Sequence, residues 1–196
     1  MTTYPNWFRT QQHNFEKYVL DLAGQPVQML QIGAFTGDAS AWMYDNILVH
    51  HEDAFLVDVD TWQGSDEPEH DVLDWEHVEL TYLARNKTWQ GAVWRRKMTS
   101  DEWFMEYGGC YEWDFAYIDG DHKAVNVLTD GLNAFQDLKV GGIIAFDDYG
   151  WKPELSRWER PEHGVKAFLS LCHDYYETLE IGYQVWLKKT AHLPAL

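Results

Sequence analysis

The chain alternates short apolar runs with longer amphipathic stretches. Residues 27–32, 54–59, 115–118 and 142–146 are runs of aliphatic, β-branched and aromatic residues, short enough to be strands buried on both faces, and 92–94 form a weaker one. A helix is expected over about 8–22. A second is expected over 125–138, where Val125, Leu128, Leu132 and Phe135 recur at helical spacing. Residues 176–180 and 183–187, on either side of Gly182, read as a closing hairpin. Strands alternating with helix-length segments predict an α/β protein with a mainly parallel sheet covered by helices. No repeat, low-complexity tract or Pro/Ser-rich linker interrupts this pattern. One domain is therefore expected over residues 1–196, with a helical segment at 1–26 and a core at 27–188.

Polar residues and glycines collect where the runs stop, at 33–40, 58–64, 119–122 and 147–150. Ligands of open parallel sheets bind outside the carboxyl ends of the strands, so four separate stretches converge on one rim. Gly33 and Gly37 follow the first strand, where glycine permits a positive-φ turn and the approach of a ligand to bare backbone. A plain strand-to-helix turn would use the same pair. Asp60 closes the second strand, placed either to accept hydrogen bonds from a ribose diol or to cap a turn. Asp119 ends the fourth strand and Asp147-Asp148 the fifth. Three carboxylates on one rim are hard oxygen ligands suited to Mg²⁺ or Ca²⁺, unless the consecutive pair caps the next segment. His122 is a candidate general base, with an intrinsic pKa of about 6.5, or a cap for the following helix.

Charge narrows the partners. Thirty-two acidic residues against 15 basic ones give a net charge of −17, which repels a phosphate backbone. The basic cluster Arg95-Arg96-Lys97 reads as the solvated end of a strand. Nucleic acid is thus not the expected partner, and a small cationic ligand suits the field better. Cys110 and Cys172 lack disulfide-framework or metal-site spacing, and no stretch has the length of a membrane span. The opening residues do not form a signal peptide, so a cytoplasmic protein without membrane association is expected.

The stretch Tyr117-Ile118-Asp119-Gly120-Asp121-His122, followed by Gly141-Gly142 and Asp147-Asp148-Tyr149, resembles the class I S-adenosylmethionine-dependent methyltransferases. The likeness is strongest to the branch of macrocin-type sugar O-methyltransferases, and more distant to catechol and caffeoyl-CoA O-methyltransferases. It spans about 27–188. It implies a Rossmann-like methyltransferase fold, a seven-stranded mixed sheet in the order 3-2-1-4-5-7-6 with the seventh strand antiparallel. Gln31, Gly33, Ala34, Phe35, Thr36, Gly37 and Ser40 would surround the methionine part of S-adenosylmethionine. Asp60, Thr61 and Trp62 would meet the adenosine, and Met98, Thr99 and Ser100 the adenine. Asp119 and His122 would touch the cofactor and carry the chemistry. Asp119, Asp147 and Asp148 would hold Mg²⁺ or another divalent cation.

Two positions depart from the family pattern. Gln31 stands where an acidic residue is usual, and Thr99 where aspartate is frequent. The expected reaction is O-methylation of a small-molecule or sugar hydroxyl. The alternatives are N-methylation of a small molecule, or cofactor binding without turnover. The candidate assembly is a homodimer.

Overall fold

The computed structural model describes residues 4–65 and 70–194. Seven strands form one sheet in the order β3-β2-β1-β4-β5-β7-β6. They are β1 (Gln28–Ile32), β2 (Phe55–Asp60), β3 (Val93–Lys97), β4 (Trp113–Ile118), β5 (Leu138–Phe146), β6 (Tyr176–Ile181) and β7 (Val185–Lys189). The first five run parallel, and β7 lies antiparallel to both β5 and β6. This is the expected Rossmann-like methyltransferase arrangement.

The central strands bury both faces, which is why their sequences are mostly apolar, with Gln31 and Asp58 as buried polar exceptions. Met29, Leu56, Phe115, Tyr117 and Trp186 pack on one face with Phe15 and Tyr82. Leu30, Ile32, Val57, Ala116, Ile118 and Phe146 pack on the other with Trp103, Phe135 and Phe168. The covering helices are α1 (Gln12–Tyr18), α2 (Asp38–Asn46), α3 (Trp75–Asn86), α4 (Ser100–Tyr107), α5 (Ala124–Gln136) and α6 (Pro161–Leu171). No described helix is long and apolar enough to cross a membrane.

Three expected elements are revised. The N-terminal helix is broken into 3₁₀ turns on either side of α1, and at the C-terminal break Val19 leaves helical geometry at φ −123°. β3 runs on through Arg95-Arg96-Lys97, since a strand at the sheet's edge tolerates charge that finds a partner. Glu79 of α3 binds Arg95 and also accepts from Lys97 Nζ at 2.5 Å, and the Arg95 guanidinium lies 4.6 Å from the centre of the Trp62 ring. β5 begins at Leu138 rather than 142, and the register between β4 and β5 shifts between Trp113 and Phe115 to accommodate the longer strand.

Register sets the rim. Ile32 lies level with Val59 and Ile118, and Ile118 with Phe146. The next residue on each strand is Gly33, Asp60, Asp119 and Asp147. The ladder continues one step beyond the strands: Gly33 N–H donates to Val59 O, Asp119 N–H to Ile32 O and Asp147 N–H to Ile118 O, each at 2.9 Å.

Candidate active site

A cavity of about 660 Å³ opens along this rim. Gly33, Ala34 and Phe35 line it from the β1–α2 loop, Asp60 and Thr61 from the end of β2, and Met98, Thr99 and Ser100 from the end of β3. Asp119 and His122 reach it after β4, and Asp148 after β5. The other sequence candidates, Gln31, Thr36, Gly37, Ser40, Trp62 and Asp147, lie behind that wall and brace it.

The bracing has a physical pattern. Gln31 is buried and its Nε2 donates to Gly33 O at 2.7 Å, holding the turn from inside. Ser40 Oγ and Tyr82 OH both donate to Asp58 Oδ2 at 2.7 Å, joining α2 and α3 to the middle of β2. Burial pushes the Asp58 carboxyl up to about 7, although the two hydroxyls pull it down. Thr36 Oγ1 donates to Asp38 Oδ2 at 2.8 Å, and Arg85 from α3 clamps the Thr36 carbonyl and Asp38. Gly37 has φ +81°, and a Cβ there would come within 2.9 Å of Trp89. Trp62 is buried and its indole N–H donates to Phe35 O at 2.8 Å.

Gly33 is glycine for a reason other than ligand access alone. At φ +86° an added Cβ would stand 1.9 Å from the Asp119 carbonyl oxygen. The absent side chain lets β1 and β4 close on one another at the rim. Asp60 then ties the loop to β2. Its Oδ2 accepts from the amides of Ala34 at 2.8 Å and Phe35 at 2.9 Å, and its Oδ1 from Trp62 N–H at 2.6 Å. Burial raises the Asp60 pKa against the pull of these three donors. A carboxylate offers about four acceptor positions, so this one keeps capacity for a ligand hydroxyl. Thr99 lines the cavity while capping α4, its hydroxyl accepting from Glu102 N–H in a reciprocal capping box.

On the far side, Asp119, His122 and Asp148 each present a ligand atom, all within 4.8 Å of one another. His122 Nε2 lies 2.9 Å from Asp148 Oδ2, and its ring is 4.5 Å from that of Trp151. Burial, then the nearby Asp147 and Asp148, hold the Asp119 pKa well above the carboxylate range. The consecutive aspartates diverge. Asp147 turns inward, binding the Tyr117 hydroxyl and accepting from Asp148 N–H, and burial pushes it up to about 6. Asp148 turns to the cavity with φ +55°, a left-handed conformation that is costly for a non-glycine residue and typical of functional rims. Asp119 and Asp148, two of the three carboxylates expected at a metal, meet at the cavity with His122, while Asp147 faces Tyr117.

Several lining residues escaped the sequence reading, Tyr183 and Asp130 among them. Tyr183, between β6 and β7, donates to Asp148 Oδ1 at 2.6 Å. Asp130 of α5 is buried to 2% exposure yet faces the cavity. Its signal was a charge on the inner flank of an otherwise apolar helix face.

The donor set suits a divalent cation: two carboxylates that repel one another, with an imidazole beside them, on a cavity wall. The fold is shared with solved structures of low identity. The O-methyltransferase NovP superposes with a TM-score of 0.67 at 18% identity, over 92% of this chain and 80% of that one. A candidate rRNA-methylase of Clostridium thermocellum gives 0.66 at 13%, over 97% and 99%. An O-methyltransferase of Bacillus cereus, solved with SAH, gives 0.62 at 16%, over 96% and 83%. Comparison with curated protein sequences finds no significant match. The family profile described as a methyltransferase domain matches residues 30–149, more than half of the chain and every strand end that builds the cavity except the tip carrying Tyr183, and by that match the chain belongs to the methyltransferase-domain family.

Proposed function

We propose that this protein is an S-adenosylmethionine-dependent O-methyltransferase acting on a hydroxyl of a small uncharged or cationic molecule, a sugar or vicinal diol by preference. One observation carries the reading: the Asp119–His122–Asp148 group and the Gly33–Asp60 loop open into the same cavity. Methyl transfer is an in-line displacement, so the protein's task is to align two reactants and manage one proton. The β1–α2 loop and Asp60 hold the donor's methionine and ribose parts. A divalent cation, held by Asp119 and Asp148 with His122 beside them, would supply Lewis acidity to an acceptor hydroxyl. His122 Nε2, 2.9 Å from Asp148, is the group placed to hold the proton that the hydroxyl gives up, with Asp148 stabilising the imidazolium. Tyr183 fixes Asp148 from the other side.

Charge supports the acceptor class. Seven aspartates line the cavity (Asp38, Asp60, Asp101, Asp119, Asp121, Asp130 and Asp148) and, among the described residues, no lysine or arginine does. Such a wall favours a sulfonium and an ammonium and disfavours phosphorylated acceptors and nucleic acid. Calorimetry with S-adenosylhomocysteine, and transfer of a tritiated methyl group to a panel of diols with Mg²⁺, Mn²⁺ or EDTA, test the reading. Binding of the cofactor product and metal-stimulated label on oxygen are expected. Failure to bind at millimolar ligand, or label on nitrogen, carbon or nucleic acid, would refute it.

A further inference from the structure

One buried carboxyl on the cavity wall, Asp130, has no role in the reading above. Asp130 sits one turn beyond Asn126 on α5, and both line the cavity. Asn126 is engaged, its Nδ2 donating to Asp121 Oδ2 at 2.8 Å. Asp130 forms no ion pair with a lysine or arginine among the described residues, and the charges nearest it, Asp101 and Asp121, are of its own sign. Only the Ser100 hydroxyl favours its ionised form, and burial pushes its pKa up to about 7. An uncompensated buried acid is costly, and a helix interior facing a sheet would ordinarily carry an apolar residue there.

The neighbours define what the carboxyl could meet. A Cβ added at Gly120 would stand 3.1 Å from Ile32 Cγ2 and 3.8 Å from Asp130 Oδ2. Gly120 thus lies between the acid and an apolar surface, to which Met98 adds from the end of β3. Ile32 and Met98 beside one buried acceptor fit an apolar heterocycle that carries an amino group on one edge. Met98 N–H donates to Asp60 O at 3.2 Å, and Ser100, two residues further on, bonds Asp130, so a nucleoside whose ribose lies at Asp60 would carry its base toward this acid.

We propose that Asp130 is a specificity-determining residue that reads the exocyclic amino group of the cofactor's adenine. This rests on the assignment of the cavity to S-adenosylmethionine. An amino group only donates there, and the ionised carboxyl only accepts, so the comparison is made above about pH 8, where Asp130 is ionised. A hypoxanthine base presents a carbonyl oxygen at the same place, which would face the acid's lone pairs and lose the hydrogen bond.

The test is calorimetric binding of S-adenosylhomocysteine and S-inosylhomocysteine to the wild type, Asp130→Asn and Asp130→Ser. The wild type is expected to prefer the adenine ligand by about a hundredfold. In Asp130→Asn the amide can turn its NH₂ toward the carbonyl, and the preference should fall below about tenfold. Asp130→Ser removes the carboxyl without adding bulk and should show the same narrowing. Equal affinity of the wild type for both ligands overturns the proposal. So does an unchanged preference in the variants with uniformly weaker binding, which marks a packing role. A wild type that binds neither ligand refutes the cofactor assignment itself, and this inference with it.

Discussion

Replacing Asp58 by asparagine isolates the energetics of the buried network that supports the glycine loop. The Asp58 carboxyl is fully buried, and its Oδ1 has no hydrogen-bond partner among the described residues. Its pKa is pushed up to about 7, from an unfolded value of 3.8. The folded chain therefore holds a proton that the unfolded chain has released throughout the interval between those values. Stability from this group is fully present below the unfolded pKa and is lost as pH rises through the folded one. From pH 5 to pH 7 the loss is two pH units at about 1.4 kcal/mol each, or about 3 kcal/mol. An asparagine side chain at this position would keep an oxygen for the Tyr82 and Ser40 hydroxyls but cannot ionise. Urea unfolding of both proteins between pH 5 and pH 8 reads the difference. With a slope of about 2 kcal/mol per molar, the wild-type midpoint should fall by about 1.5 M more than that of Asp58→Asn over this range. Asp130 and Asp147 titrate nearby in both proteins, so the difference between the two curves, not either slope, carries the result. Parallel curves would refute the reasoning.

Gly33→Ala should drive the added methyl into the Asp119 carbonyl and part the ends of β1 and β4. A loss of about 3 kcal/mol, seen as a fall of about 10 °C in Tm, is expected together with lost S-adenosylhomocysteine binding. Lys189→Met should cost about 3–5 kcal/mol in urea unfolding. The buried Lys189 ammonium donates to Phe135 O and Leu138 O at 2.7 Å and to Gln136 O at 3.3 Å, and a methionine side chain would leave these carbonyls at the junction of α5 and β5 without this donor.

The strands and their rim are legible in the sequence because burial on both faces leaves an unmistakable apolar run, and the residue ending each run falls in register with its neighbours. Gly33, Asp60, Asp119 and Asp147 emerge in that way. Which direction each side chain takes is not legible. Strand period alone cannot say that Asp147 turns in to Tyr117 while Asp148, in a left-handed conformation, turns out. Gln31 and Ser40 illustrate a related blindness: they occupy strand and helix positions next to the cavity, but their partners lie inside, on Gly33 and Asp58. Tyr183 and Asp130 come from elements far along the chain, and only tertiary packing delivers them. The basic end of β3 reads as solvated, whereas Arg95 and Lys97 are paired with Glu79 across the sheet's edge.

The position of β7 has a consequence for synthesis. Although it follows β6 in sequence, it is inserted between β5 and β6. The segment it terminates brings Tyr183 to Asp148, Gln184 to Asn14 and Tyr117, and Lys189 to the end of α5. A nascent chain that has emerged only as far as β6 already carries the glycine loop, Asp60 and Asp119. It lacks the strand that covers β5, and so presents an open sheet edge of the kind that invites mispairing. It also lacks the hydroxyl that steadies Asp148. The Asp119–His122–Asp148 wall and the sealed sheet therefore arrive together in one late step, and a growing polypeptide can complete neither before β7 has left the ribosome.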